Sequence, residues 1–576
     1  MPMQRPMIKS LIQSHSGIRA YSVHRRSATR HDHASVLNVQ RGHCAQRRAI
    51  RVLVLIVQVH LLIFSCAVWG FDLTAGFKAD DLIYPASLFV LLITVWSLWS
   101  WNLFNKSLFD PYSLFLISVT AFNAGQAFLE VFHLNENGIL GGAFLADTIL
   151  KSLLLVAMGI SGLHLGALVS AGTIKEPRSC GRTVRSIPTL YLRWVAWPML
   201  LIAIPFRLVA ARDAVGVVLS SGYSGLYQQT AITGISAAGN VLSEFWIPGA
   251  IFLLAGSKKW LPGVIVAAIV IVLNTLVDFF LGARSAAVLP LIAFAWLCHR
   301  HVRRLPAGLL VAVVIAMLVV VFPIVFGVRN MSGPERLSIG NLKDASLSID
   351  NPAIATLDEM GGSLATVAYT VELVPSARPY DCGIDYLYAA STLFPNLFWD
   401  VHPAVARGLL SSWLVWEVDP FFAEAGGSYD FSCIAEAYLN FGWIGVPAVM
   451  LILGLLYSKF VLWAQRSRDP LKLAMVATYG VFFLKYARTE ACWIVRPLVW
   501  YALLPYALVL LVARLRPCVP EQPSSPARSM IASSPRILRS KHERTRSWRT
   551  NAELPLAGDP VGLRHFRPRG ERRHPH

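Results

Sequence analysis

The sequence predicts an all-α polytopic integral membrane protein of about twelve transmembrane helices with a large external loop. The chain is 55% hydrophobic and only 15% charged, whereas a soluble domain is about 25% charged. Apolar runs of about 20 residues recur from Arg51 to Leu515, each long enough to cross the hydrocarbon core as a helix. The runs are continuous and do not alternate with period two, which argues against a barrel of strands.

Residues 1–50 are rich in Arg, Ser and His with almost no acid, the composition of a disordered cytoplasmic tail drawn to an anionic leaflet. The same composition resembles a transit peptide, while a cleaved signal is disfavoured because the first apolar run starts late and is long. Span 51–70 leads into the acidic FDLTAGFKADD, and span 82–103 ends at Lys106. Span 111–132 is followed by the near-neutral LNENGILGGAF, and span 146–170 by Lys175, Arg178, Arg182 and Arg185. Span 189–210 closes on Arg207 and Arg212, and span 241–256 precedes Lys258 and Lys259. Span 260–281 meets 286–298, which is short enough to be a half-helix or to lean on its neighbours, and HRHVRR follows at 299–304. Span 308–327 opens into residues 328–433; span 436–464 ends at Arg466 and Arg468; spans 471–487 and 496–514 complete the set.

Basic and neutral connections alternate, so the positive-inside rule places both termini in the cytoplasm. The expected organisation is a basic tail (1–50), helices one to nine (51–327), a periplasmic loop (328–433), helices ten to twelve (434–514) and a second basic tail (515–576). A loop this long is functional or disordered, and its composition favours order. FPNLFWDVHPAVARGLLSSWLVWEVDPFF is too apolar for disorder and its pieces are too short to span, which predicts amphipathic helices at the interface.

The formal net charge of +19 does not indicate a nucleic-acid partner, because the basic residues sit mostly outside the membrane domain, beside the bilayer surface. Eight cysteines lack CxxC spacing, so neither a zinc site nor a redox motif is expected. Cys382, Cys433 and Cys492 fall on the external side, where a disulfide between two of them would be allowed. His60 and His164 read as satisfied bundle residues, and Asn123, Gln126 and Glu130 share a helix face suited to interhelical hydrogen bonds.

Basic residues on the external side oppose the bias that orients the chain. Arg207, Arg212, Arg284, Arg329, Lys485, Arg488 and Arg496 are of this kind, with Lys151 near the outer end of the fourth span. Each alone reads as snorkelling to headgroups or pairing with Glu130, Asp278 or Glu490. Together they predict a common anion site, because ionisable groups near a membrane are costly and guanidinium forks bind phosphate oxygens bidentately.

Four segments carry a family resemblance: LGARSAAVLPLIAF (281–294), FPNLFWDVHP (394–403), GSYDFSCIAEAYLNFGWIGV (427–446) and KYARTE (485–490). The region from about 180 to 515 resembles the O-antigen polymerases of the Wzy type, also called oligosaccharide repeat-unit polymerases. The chain departs from the pattern at Asn396, where an Arg is expected, and at His402, where the family often has Lys. His402 can replace that cation only when protonated.

The resemblance implies a GT-C-like helical fold and a metal-independent membrane glycosyltransferase without cofactors. Its substrate would be an undecaprenyl-diphosphate-linked oligosaccharide at the periplasmic face of the bacterial inner membrane, and a chain-length regulator is an expected partner. A growing chain on one carrier is joined to the unit on another, and lipid diphosphate leaves. An O-antigen ligase and a flippase of lipid-linked sugars are the competing readings.

That chemistry suits particular residues. A leaving diphosphate gains charge, so fixed arginines aimed at it contribute roughly 3–4 kcal/mol each, which points to Arg284, Arg329 and Arg488. The attacking hydroxyl needs an acceptor for its proton, for which Glu436 is the first candidate and Glu424, Asp430 and Asp419 are alternatives. Substrate contacts are expected from Arg207, Tyr223, Tyr227, His402, Tyr438, Asn440 and Arg496, with Trp399, Trp413 and Trp416 offering stacking faces. In SCIAEAYLNFGWIGV, Ser432, Glu436 and Asn440 fall four apart, predicting one helix stripe that faces an aqueous pocket. Gly442 and Gly445 then allow a bend or a close helix approach.

Overall fold

The structure, a computed structural model, describes residues 48–70, 76–173, 188–227, 234–329 and 351–516 apart from 395, 397 and 398, with a few isolated positions besides. Most of both basic tails, the run Lys175 to Arg185 and residues 228–233 lie outside the described residues. Every regular element among those described is helical. Among the described residues, eleven helices are long and apolar enough to cross a membrane.

The first membrane helices are α1 (Arg48–Gly70), α2 (Ala79–Asn105), α3 (Pro111–Val131), α4 (Ala146–Thr173) and α5 (Thr189–Ser221). They are followed by α6 (Gly234–Ser243), α7 (Trp246–Gly256), α8 (Leu261–Leu281) and α9 (Arg284–Leu297). The expected short span at 286–298 is longer than its apolar run, because a π-helical turn extends α9 to Val302. Helix α10 (Ala307–Ala316) passes through another π-helical turn into α11 (Phe322–Arg329).

The residues that start these helices follow ordinary capping chemistry. Asp110 accepts bonds from the amides of Tyr112 and Ser113 at the start of α3, with Pro111 supplying a preset φ at its first position. Ser432 does the same for Ile434 at the start of α18 (Cys433–Ser467), and Asp469 for Leu471 at the start of α19 (Pro470–Phe483). The segment expected at 471–487 is this 14-residue helix continued by a 3₁₀ turn to Arg488, so it falls short of the other spans. The chain ends its described part with α20 (Cys492–Pro497) and α21 (Leu504–Leu515).

Helix α4 is the buried centre of the bundle, and its longest contact is with α18. Small residues permit the approach. A Cβ at Gly166 would lie 2.0 Å from the Leu451 carbonyl oxygen, and one at Gly162 would lie 2.6 Å from that of Pro447. His164 is fully buried and bonded at both ring nitrogens, to Ser100 Oγ at 2.7 Å and Tyr112 Oη at 3.1 Å. His60 lies against the carbonyl of Ile56 in its own helix.

Between α11 and α18 lie short helices: α12 (Pro352–Gly361), α13 (Ser363–Leu373), α14 (Ile384–Ser391), α15 (Pro403–Arg407), α16 (Leu410–Val418) and α17 (Pro420–Glu424). Helix α12 packs on α3 where Gly125 faces Gly361, and α13 buries Leu364, Val367 and Ala368 against α4 and α18. Helices α12 and α13 precede the aromatic segment expected at the interface and are seated in the bundle. Exposed Trp416, Phe421 and Leu387 leave α14, α16 and α17 with apolar outer surfaces. Cys382, Cys433 and Cys492 are all free thiols, so the allowed disulfide is not formed.

Helix α18 is broken at Gly442, whose φ of 64° and ψ of −155° are open to glycine and strained for other residues. The break frees the carbonyls of Leu439 and Asn440, which accept from Asp381 N at 3.1 Å and Cys382 N at 3.0 Å. The bend expected at Gly442 thus becomes the anchor for the 381–383 segment.

Candidate active site

Arg329 and Arg488 line one cleft, and Arg284 is tied to its wall through Glu359. Gly282 closes α8 in the left-handed region, at φ 86°, and Arg284 is the first residue of α9 two positions later. Arg329 is the last residue of α11, and Arg488 ends the 3₁₀ turn after α19. The cleft has a volume of ≈ 910 Å³ and is lined by Gln126, Arg329, Asp358, Glu359, Tyr429, Asp430 and Arg488, among others.

Carboxylates hold the arginines. Both Nη atoms of Arg284 donate to the two oxygens of Glu359 on α12, and Arg329 Nη1 lies 3.7 Å from Glu359 Oε1. Arg488 pairs with Asp430. Rings back the cations: Arg329 stands 4.0 Å over Tyr223, Arg488 5.0 Å over Phe122 and Arg284 6.0 Å over Phe322. Burial, then the charge of Arg329, bring Arg488 down to about 10, which leaves it charged near neutrality. Tyr223 and Tyr227 share a hydroxyl hydrogen bond of 2.6 Å, and Tyr227 is 54% exposed.

The stripe of Ser432, Glu436 and Asn440 does not face this cleft; all three side chains are fully buried. Ser432 donates to Asn123 Oδ1, and Asn123 in turn donates to the Ala487 carbonyl at 3.0 Å. The Glu436 carboxyl accepts from Tyr486 Oη at 2.8 Å and from Ala491 N at 2.9 Å. Asp385 on α14 meets Glu436 side chain to side chain, and burial raises the Asp385 carboxyl above its usual range. Asn440 accepts from Gly383 N at 3.0 Å and donates to the Glu436 carbonyl at 2.9 Å. These residues fasten α18 to α3, to the 485–491 turn and to the 381–385 segment. The expected open wall is thereby corrected to an internal brace, because a helix stripe can face protein as readily as water.

Several other expected contacts are internal as well. Arg207 is paired with Asp278 at 2.6 Å and with Asn274 at 2.8 Å, and Arg496 donates to the Thr392 carbonyl at 2.6 Å. Tyr438 donates to the Val374 carbonyl at 3.3 Å. His402 accepts from Ala404 N through Nδ1 at 3.2 Å while Nε2 faces the Phe394 carbonyl at 3.1 Å, so backbone groups occupy both ring nitrogens. Among the alternative carboxylates, Asp430 lines the cleft, Asp419 caps α17, and Glu424 is exposed. Glu490 accepts from Leu410 N at 2.6 Å and from Ser411 Oγ at 3.0 Å instead of pairing with a cation. Lys151 pairs with Asp147 one turn away.

Sequence reasoning missed Glu359 and Asp358. Asp358 accepts from the Gln126 amide at 2.6 Å, which ties α12 to α3 and presents Glu359 to the arginines. The available signal was charge complementarity: an acidic pair in IATLDEMGG within the segment facing the excess cations.

The family model described as O-antigen polysaccharide polymerase Wzy matches residues 52–516. No curated protein and no solved structure matches the chain.

Proposed function

The chain belongs to the O-antigen polysaccharide polymerase Wzy family, and from that premise we propose that it joins undecaprenyl-diphosphate-linked oligosaccharide units at the periplasmic face of the inner membrane, releasing lipid diphosphate. The observation that carries this reading is a cleft lined by Arg329 and Arg488, with Arg284 held at its wall by Glu359, the carboxylate that Arg329 also approaches. Guanidinium groups already holding carboxylates are placed to hold phosphate oxygens in the same forked manner. They neutralise the charge that develops on the leaving diphosphate and can do so without a metal.

The membrane gives the geometry a direction. With the basic connections in the cytoplasm, the cleft opens outward, so a lipid carrier seats its tail among the apolar helices and its diphosphate at the arginines. Tyr223, Tyr227 and Tyr429 offer ring faces and hydroxyls to the sugars. Glu436 acts as a positioning residue, because it fixes the 485–491 turn from which Arg488 reaches the cleft. Arg207, Arg496, His402, Tyr438 and Asn440 fix the frame around it.

Purified protein reconstituted with lipid-linked repeat units should build a ladder of increasing length. Arg284→Ala and Arg488→Ala should each slow elongation by about 100-fold or more at normal abundance. Normal ladders from both variants would end the arginine assignment. Glycan moved to lipid A core without a ladder would make the protein a ligase, and translocation without elongation would make it a flippase.

A further inference from the structure

We propose that Glu359 receives the proton of the attacking hydroxyl, and that binding of the donor diphosphate uncovers it for that task. This rests on the reading that Arg284 and Arg329 hold the donor diphosphate. Among the described carboxylates lining the cleft, Glu359 is the one set between two guanidinium groups: doubly bonded to Arg284 and 3.7 Å from Arg329. Its oxygens therefore occupy the place to which those cations point. Asp358 is committed to Gln126, Asp430 sits on the other side with Arg488, and Glu436 is sealed inside the bundle.

A diphosphate competes for the same donors and carries more charge and more oxygens than one carboxylate. When the guanidinium groups turn to it, Glu359 loses cationic partners and gains an anionic neighbour. Both changes favour uptake of a proton. The side chain is already 28% exposed to the cleft, so a rotation suffices to present it to an acceptor sugar.

The step balances as follows. The acceptor hydroxyl oxygen forms a bond to the anomeric carbon, the bond from that carbon to the diphosphate oxygen breaks, and its electron pair leaves on the phosphate. The hydroxyl proton passes to Glu359 and later to water. Donor binding and creation of the proton acceptor are then one event, which leaves the carboxylate neutralised whenever no donor is present.

The test uses full-length protein in vesicles, with inorganic pyrophosphate as the binding probe and ladder formation at saturating lipid-linked substrate as the rate. Glu359→Gln should bind pyrophosphate about 10-fold more tightly, because a competing charge is gone, and should elongate about 100-fold more slowly. Glu359→Asp keeps the carboxylate and should retain measurable elongation. The proposal is overturned if Glu359→Gln elongates at the wild-type rate, or if Glu359→Asp is as inactive as Glu359→Gln. It is overturned equally if Asp430→Asn, with pyrophosphate binding intact, takes the whole loss instead. Wild-type protein that builds no ladder would remove the polymerase reading itself, whereas tighter pyrophosphate binding by Glu359→Gln would still report the competition.

Discussion

Glu436 and Glu359 are two carboxylates with opposite surroundings, and their substitutions should separate a brace from a proton acceptor. Glu436 meets Asp385 side chain to side chain while accepting from Tyr486 and Ala491. Glutamine can donate to Asp385 and still accept, so Glu436→Gln should keep elongation within about 10-fold of wild type, whereas the proton-acceptor role predicts a loss of 100-fold or more. Glu436→Ala leaves those donors unpaired and should cost about 1–3 kcal/mol in thermal unfolding of the detergent-solubilised protein. Glu490 adds a dependence on pH. Burial raises its carboxyl to about 6, with the bonds from Leu410 and Ser411 partly opposing the rise. A raised carboxyl favours the protonated folded state, so the stabilisation is complete below about 4.5 and is lost as pH rises through about 6. The change amounts to about 2 kcal/mol, and Glu490→Gln should flatten the unfolding midpoint across that window. None of these environments is visible in the order of residues, because the spacing that puts Glu436 on a helix stripe does not say whether the stripe meets water or protein.

At the scale of the helix, small residues decide how closely elements approach and where they bend. A Cβ at Gly454 would lie 1.9 Å from the Leu163 carbonyl oxygen, whereas one at Gly172 has nothing within 4 Å. Gly454→Val should therefore destabilise the bundle by about 3 kcal/mol, with lower abundance and a lower unfolding midpoint, while Gly172→Ala should be close to neutral. Helix limits and the flexible point at Gly442 were legible in the sequence, since caps and glycines act within a few residues. The seating of α12 and α13 was not legible. Their apolar residues predict burial of some kind, but lipid and helix core are equally dry partners. The choice was made by Gly125 meeting Gly361 and by Asp358 meeting Gln126.

For the whole molecule, orientation is the property that links architecture to the proposed reaction. Cys382 is an exposed thiol beside the Gly442 anchor, and Cys298 lies next to HRHVRR at the basic end of α9. In single-cysteine variants, a membrane-impermeant maleimide should label Cys382 before the membrane is opened and Cys298 only afterwards; the reverse order would overturn the proposed outward orientation of the cleft. The amino-acid sequence by itself determined the membrane class, most of the spans, the alternation of basic connections and the family motifs. Each of these is a local property, because hydropathy and capping are set within a turn or a span of residues. Tertiary structure alone decided which surplus cations come together. Arg207 meets Asp278 and Arg496 meets a carbonyl, while Arg284, Arg329 and Arg488 meet one another's neighbourhood around a cleft. Charge interactions fall off with distance in space, not along the chain, so the fold had to bring α9, α11 and the 484–488 turn together before these cations could act as a group.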